Sequence, residues 1–557
     1  MSDDILRQLA VKAGIAPRWT EQNGAEREVS AQSLRFILQA LGLPAGTDAD
    51  LRQSLATVEA GANLSAQSRF TTARTGQTVV LPIAAQAGSP VELTLDGGTR
   101  RTVRSEEGYD GSLTLPAFDR PGYHTVHRDD GDFIIATAPE RCITFADLNG
   151  GQAGFGLAAQ IYSLRSPQDG GIGNFAGVAA LGRAAAARGA DALAISPVHA
   201  LYGASPEHFS PYSPSTRLFY NPLHADPAAL LPEGMLREVI AREGLGEEMH
   251  RLATLQQIDW PAATALRQRL LRALFEALRA KDGSGGAARA ALDRALTEAS
   301  PLLRSHAVFE VLHTAQLQRN PQAWSWRSWD APFRDPDGPA VAAFAAEHAA
   351  EVDYQIFLQW LTASSYGAAQ SACREAGMKV GLIADLAIGM DASGSHAWSR
   401  QHEVLGGLSV GAPPDYYAAE GQSWGLTTFS PRGLAASGFS PFIETLRASL
   451  RHVGGIRIDH VMGLSRLWLV PEGASALDGA YVAFPSETLF RLVALEILAP
   501  RRHRHRRGSR HPPRRFPRRS APAGCGGAAR AALREDRSRL HCPRALGRRR
   551  RRPHHNP

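Results

Sequence analysis

Along the first sixty residues, apolar positions recur at helical spacing. Ile5, Leu6, Leu9 and Ala10 make one stripe, and the run SAQSLRFILQALGL repeats the pattern behind Ser30, whose hydroxyl suits a helix cap. A helical segment is predicted over residues 1–65. From about residue 70 to 138 the texture changes to short runs, QTVVLPIAA, VELTL and FIIATA, divided by Gly, Pro and Asp turns. That pattern predicts a small all-β module, a sandwich, over residues 66–145.

A strand–helix rhythm begins near residue 154. FGLAAQIYSL (155–164) reads as a strand, VAALGRAAAARG as a helix and ADALAISPV (190–198) as the next strand. Residues 230–375 are mostly Ala-, Leu- and Arg-rich helix, broken by GSGG at 283–286. MKVGLIADLAIG supplies a third core strand at 379–389, and GGIRIDHV a fourth at 454–461. Strands flanked by long helices, with polar residues at strand C-ends, predict a parallel α/β barrel of the TIM type over residues 146–498. Only four of the eight strands of a (β/α)8 barrel are counted, so the barrel is expected to be incomplete, with an unpaired parallel edge and poor solubility.

Charge alters this picture at one end. Residues 500–557 hold 20 Arg, no Lys and only two acids, Glu535 and Asp536; their net +18 within a total of +7 leaves −11 for residues 1–499. The basic balance therefore belongs to a tail and is no guide to the main function. Beyond Glu496 both helical and strand spacing stop, and text such as RRHRHRRGSRHPPRRFPRRS cannot bury enough apolar surface to fold. Of 61 Lys plus Arg, only Lys12, Lys281 and Lys379 are Lys, a bias of GC-rich coding. Out-of-frame GC-rich codons yield this mixture of Arg, Pro, Ala and Gly. Residues 499–557 are thus expected to be a disordered tail, the product of a frameshift near residue 497. Sequencing the gene decides this.

Such a tail would hold phosphate without specificity and with steep salt dependence, and Phe516 is its one aromatic for base stacking. No specific nucleic-acid partner is expected. The start, MSDDILRQLAVKAG, carries acids and lacks the apolar run of a secretory signal, and no eighteen consecutive residues are apolar. A cytoplasmic location without a membrane partner is expected. Cys142, Cys373, Cys525 and Cys542 are scattered, with no CxxC pair, and read as free thiols rather than a disulfide or zinc framework.

The segment GGIRIDHVMGLSRLWLVPEG (454–473) carries the chemistry. Ile456 and Ile458 alternate with Arg457 and Asp459, so an apolar strand ends on the trio Arg457, Asp459 and His460. An uncompensated charge there is costly, so Arg457 is expected to hold Asp459 ionised. An ionised carboxylate at a barrel strand's C-end suits a glycosidic nucleophile. Spacing alone favours a plain Arg–Asp ion pair.

The wider text reverses that preference. RIDH followed by MGLSRLWLVPEG closely resembles glycoside hydrolase family 77, the 4-α-glucanotransferases, also called amylomaltases or disproportionating enzymes. GLAAQIYSLRSPQDGGIGNF (156–175) is similar to the family's first barrel strand and loop, and ISPVHALYGASPEHFSPYSPSTRLFYNPLHAD (195–226) to its second strand and sugar-binding loop. VGLIADLAIGMD, GAPPDYYAAEGQSWG and DGAYVAFPSETLFRLVALE follow in the family's order. The resemblance covers about residues 1–496, since the N-terminal region resembles the extension of longer bacterial members.

The resemblance implies that Asp459 is the nucleophile of a β-glucosyl-enzyme intermediate. It implies that Arg457 orients Asp459, that His460 binds sugar hydroxyls next to the cut, and that Asp385 contacts the same sugar. Tyr212 would be the ring on which that glucose stacks, and Gln422 and Trp424 the acceptor-side loop. Asp415 would only shape that loop. Substrates would be α-1,4-glucans and maltooligosaccharides, with no cofactor and no metal, because a carboxylate pair does the chemistry. The family's acid/base Glu lies in a GEDLG-like motif after a text resembling LALES. Here LVALE (492–496) is followed by no such motif, and Glu535 and Asp536 sit in LREDRSR without a strand context. The family's third carboxylate, in a later His-Asp motif, is missing as well. Loss of disproportionating activity is therefore expected. Two alternatives stand beside transfer: a non-catalytic remnant that binds maltooligosaccharides through Tyr212, Trp424, Asp385 and Asp459, and an α-glucan hydrolase of the same clan.

Overall fold

Four parallel strands carry the candidate chemistry. In the computed structural model they are β1 (Gly156–Ala159), β2 (Ala192–Ile195), β3 (Gly381–Leu386) and β4 (Gly455–Ile458), side by side in that order. The structure describes residues 2–505 apart from residues 22, 61–67, 85–87, 109–111, 233 and 281–285. The expected tail beyond residue 505, with Phe516, Cys525, Glu535, Asp536 and Cys542, lies outside the described residues, as do residues 283–285 of GSGG.

The register pairs Leu157 with Leu193, Leu193 with Leu382, and Asp385 with Arg457. Each strand falls inside its expected range and is shorter than it, the first by the most. The first gives way to a 3-10 turn at Ile161–Ser163, because the Ile161 amide leaves the ladder to donate to the Ser196 hydroxyl at 3.2 Å. Among the described residues β1 and β4 form the two outer edges of this sheet.

Helix α1 (Phe175–Ala186) links β1 to β2, starting where the Asn174 side chain accepts from the amides of Ala176 and Gly177. The link from β2 to β3 includes three long helices, α2 (Trp260–Arg279), α3 (Pro301–Arg319) and α4 (Ala349–Glu375). Asp259 and Ser300 cap the first two, each with Pro in the opening turn. Helix α4 lies against the sheet: Tyr366 stacks on Phe175 at 4.7 Å, and the Gln370 amide group donates to Val380 O and accepts from Leu382 N. Leu193, Ile195, Leu382 and Val453 complete the core between them.

Two features depart from the sequence reading. The N-terminal segment is not uniformly helical. Helices Ser2–Lys12, Ala31–Ala40 and Asp48–Ala60 are interrupted by a hairpin, Arg18–Thr20 with Glu26–Glu28. Trp19 is buried between exposed Arg18 and Thr20, a period-two pattern too short to register beside the helical stripes, and Gly24 at φ 87° permits the turn. The Ser30 cap is present, its hydroxyl accepting from Ser33 N at 3.0 Å. The second departure is a five-stranded antiparallel sheet of Met390–Asp391, Gln422–Thr427, Leu408–Ala412, Arg466–Pro471 and Ala480–Ala483. The N-terminal helices pack on it. Trp19 meets Trp468 edge-on at 5.1 Å, and Ala483 N donates to Gly14 O at 2.8 Å.

Residues 70–138 form two sheets, of five and three strands, closed on Leu81, Leu93, Leu113, Val126, Phe133 and Ile135. Helix α5 (Ser440–Leu450) precedes β4, and α6 (Ser486–His505) runs past Glu496, where the sequence pattern changes. Glu496 joins three parts of the molecule. It accepts from Tyr123 of the β module at 2.6 Å and from Arg447 of α5 at 2.8 and 2.9 Å. No described helix is long and apolar enough to cross a membrane.

Candidate active site

The parallel register sets the site. Because Asp385 and Arg457 are partners across β3 and β4, and Asp459 lies two residues beyond Arg457, all three project from the same face at the strands' C-ends. Arg457 bridges the carboxylates, donating Nη1–H to Asp385 Oδ1 at 2.6 Å and Nη2–H to Asp459 Oδ1 at 2.8 Å. Tyr212 donates its hydroxyl to Asp385 Oδ2 at 3.1 Å.

Asp459 sits on the last rung of the ladder, its amide donating to Leu386 O at 3.1 Å. The chain then turns at His460, a left-handed residue with φ 45° and ψ 56°, into the 3-10 helix Val461–Leu464. For a residue with a Cβ that conformation costs on the order of 1–3 kcal/mol, held here by the packed strand on one side and the helical turn on the other.

Burial pushes the Asp385 carboxyl above its ordinary value, while the Arg457 and Tyr212 donors pull it back in part. Arg457 is raised, first by its bond to Asp385, and stays charged. Burial raises the Tyr212 hydroxyl, and the neighbouring Asp385 charge adds to it. Burial lowers His460 against the attraction of Asp459, so its imidazole is neutral at pH 7 and can both donate and accept. The Asp459 side chain is 28% exposed, and among the described residues its Oδ2 has no donor. A carboxylate anchored by one oxygen, with the other open to a cleft, has the arrangement a glycosidic nucleophile requires.

Gln422 and Trp424 lie on one strand of the antiparallel sheet, with Trp424 Nε1–H donating to Gln422 Oε1 at 2.9 Å. The Trp424 ring meets the His460 ring nearly perpendicularly at 5.5 Å, which joins this pair to the carboxylate cluster. Asp415 is not brought into the cluster. Its Oδ1 accepts from the amides of Tyr417 and Ala418 at 2.8 and 2.7 Å, a turn that leaves Tyr416 and Tyr417 exposed.

Arg217 escaped the sequence reading. It is buried beneath the site, donating to the carbonyls of Ala387 and Ile388 at 3.2 and 2.9 Å, and burial lowers it to about 9. With Asp459, His460, Leu386, Phe429 and Phe442 it lines a cavity of about 50 Å³. Its one visible signal is a lone charge inside the apolar strand TRLFY. Among the described residues, no three His, Cys, Asp or Glu side chains are grouped to hold a metal ion.

Known proteins resemble this chain over most of its length. The family model described as 4-alpha-glucanotransferase matches residues 159–504. A 4-alpha-glucanotransferase of Mycobacterium tuberculosis (strain H37Rv) is 32% identical over 519 residues, 88% of this chain and 70% of that protein. One of Haemophilus influenzae is 34% identical over 350 residues, 61% of this chain and 50% of that one. The crystal structure of amylomaltase from Corynebacterium glutamicum superposes with a TM-score of 0.72 at 28% identity, covering 89% of this chain and 70% of that one. By these matches the chain belongs to glycoside hydrolase family 77, the 4-alpha-glucanotransferases, and is an enzyme of that type.

Proposed function

We propose that this chain holds the nucleophile and sugar-binding half of a retaining 4-α-glucanotransferase site, acting on α-1,4-glucans and maltooligosaccharides in the cytoplasm, and that it does not turn over. The observation carrying this reading is the Arg457 bridge, which fixes Asp459 by one oxygen beside Asp385 at the strand ends. In this reading Asp459 attacks the anomeric carbon to form a β-glucosyl-enzyme, and Arg457 orients it. Asp385 and His460 bind hydroxyls of the same sugar, Tyr212 stacks on its apolar face, and Gln422 and Trp424 line the acceptor side.

A double displacement also needs an acid to protonate the leaving oxygen and a base to activate the acceptor hydroxyl. Residues 497–557 offer only Glu535 and Asp536, in a text without strand character, and no GEDLG-like motif. The proposed organisation is a helical segment interrupted by one hairpin over 1–65, a β sandwich over 66–145, a partial barrel over 146–498 and an out-of-frame Arg-rich tail over 499–557. In this reading a barrel with four of eight strands leaves β4, which has no further neighbour among the described residues, at an open edge, in keeping with both the missing acid and the expected poor solubility.

The test is glucose release from maltotriose by the purified full chain. General acid–base catalysis contributes at least about 100-fold, so activity should fall at least that far below an intact relative's. Release above that level refutes the loss of turnover. Reducing ends in place of longer glucans would favour hydrolysis instead of transfer.

A further inference from the structure

Arg217, beneath the site just described, is a buried cation that no carboxylate pairs with among the described residues. It is 5% exposed, and its guanidinium meets neutral groups only: the carbonyls of Ala387 and Ile388, the Met390 sulfur at 3.9 Å and the face of Phe429, 4.7 Å from the ring centroid. Two other buried arginines differ. Arg267 feels the charges of Asp169 and Asp226, and Arg400 donates to Glu444. Burial lowers Arg217 with no carboxylate attraction to oppose it. The buried His199 and His396 feel its charge as well, and both are held neutral, first by burial and then by Arg217. An ion taken out of water costs stability unless it is paired.

Room for a counter-ion lies beside it. The Arg217 Nε–H is buried and has no acceptor among the described residues. Arg217, Thr428 and Phe429 border the cavity of about 50 Å³, several times the roughly 10–15 Å³ that one water needs. Thr428 is 5% exposed, and its hydroxyl makes no hydrogen bond among the described residues. Leu386, Phe442 and most of the remaining wall are apolar. One positive charge with few donors fits a singly charged, weakly hydrated anion and disfavours phosphate or sulfate. Asp459 also borders the cavity, but its carboxylate has its own cation in Arg457.

We infer that this cavity is a chloride site, in which the Arg217 Nε–H and the Thr428 hydroxyl hold the ion beneath Asp459 and the ion neutralises the buried guanidinium. The inference rests on Arg217 and its cavity and is independent of the proposed sugar chemistry.

The test is the melting temperature of the full chain in sodium chloride from 0 to about 200 mM, with sodium gluconate keeping the ionic strength constant. A ligand bound by the folded state alone stabilises it as the logarithm of its concentration above the dissociation constant. For a dissociation constant of about 10 mM the melting temperature should rise by about 2 °C over that range, and bromide should act as chloride does. R217M should abolish the rise. T428V, which keeps the charge and removes one donor, should move its onset to about fivefold higher chloride. The arginines of residues 500–557 also attract anions, but neither substitution touches them. No rise in the unaltered chain, or an equal rise in R217M, would overturn the site. An unchanged onset in T428V overturns it too, even where R217M does not fold.

Discussion

Replacing Arg447 with Met probes how the β module is tied to the barrel. The Glu496 side chain is 2% exposed and accepts three hydrogen bonds, two of them from Arg447 and one from Tyr123. R447M removes the only cation paired with that carboxylate among the described residues and leaves the Tyr123 hydroxyl as its single donor. Breaking a buried ion pair from one side costs about 3–5 kcal/mol, because a charge is left without compensation. The Arg447 side chain is 38% exposed, so it is partly hydrated in the intact pair, which places the expected loss near the lower end, about 3 kcal/mol. Urea denaturation of the full chain at pH 7.5, followed by tryptophan fluorescence, measures it. The triple variant R447M/E496M/Y123F, which makes all three positions apolar, should recover most of the loss. A loss below about 1 kcal/mol for R447M, or a triple variant no more stable than the single one, would refute the latch.

Asp385 and Glu310 give two further expectations. The folded protein raises the Asp385 carboxyl, so its contribution is present at low pH and is lost as pH rises through the elevated value. D385N should therefore melt no lower than the unaltered chain at pH 7 while losing maltooligosaccharide binding; a clear drop in melting temperature contradicts this. Burial raises the Glu310 carboxyl from 4.5 to about 7; one oxygen accepts from Gly203 N at 3.2 Å, and Oε1, 3.9 Å from His306 Nδ1, has no hydrogen-bond partner among the described residues. Its contribution should be complete below about pH 4.5 and fade as pH rises through about 7, a span of about 3 kcal/mol. E310Q should flatten that slope, so a parallel pH profile for the two proteins counts against it.

The four parallel strands were legible because each is an apolar run with a polar residue at its C-end, a signal contained within one segment. The antiparallel sheet was not. Its strands Leu408–Ala412, Gln422–Thr427 and Arg466–Pro471 are five or six residues long, and Val410 finds Leu469 across nearly sixty intervening positions. Period-two patterns that short are lost among Gly- and Pro-rich neighbours. The same limit applied to the site. Arg457 and Asp459 share a strand face and could be paired from spacing, whereas the Asp385–Arg457 bridge depends on a register set only when β3 and β4 meet. Glu496 read as the end of a family motif, while its three donors come from parts of the chain no local pattern connects.

The left-handed backbone at His460 bears on how substitutions at that position should be interpreted across a family or a library. Two separate filters act on one residue. The backbone at φ 45° admits Gly, Asn and Asp readily and disfavours β-branched types, whatever the side chain does for a sugar. The chemistry asks for a neutral ring that donates and accepts. A narrow set of residues at this position among homologues would therefore not by itself signify recognition. Selecting one saturation library first for folding and then for glucan capture separates the two, because Asn and Gly pass the first gate and only a residue that replaces the imidazole passes the second.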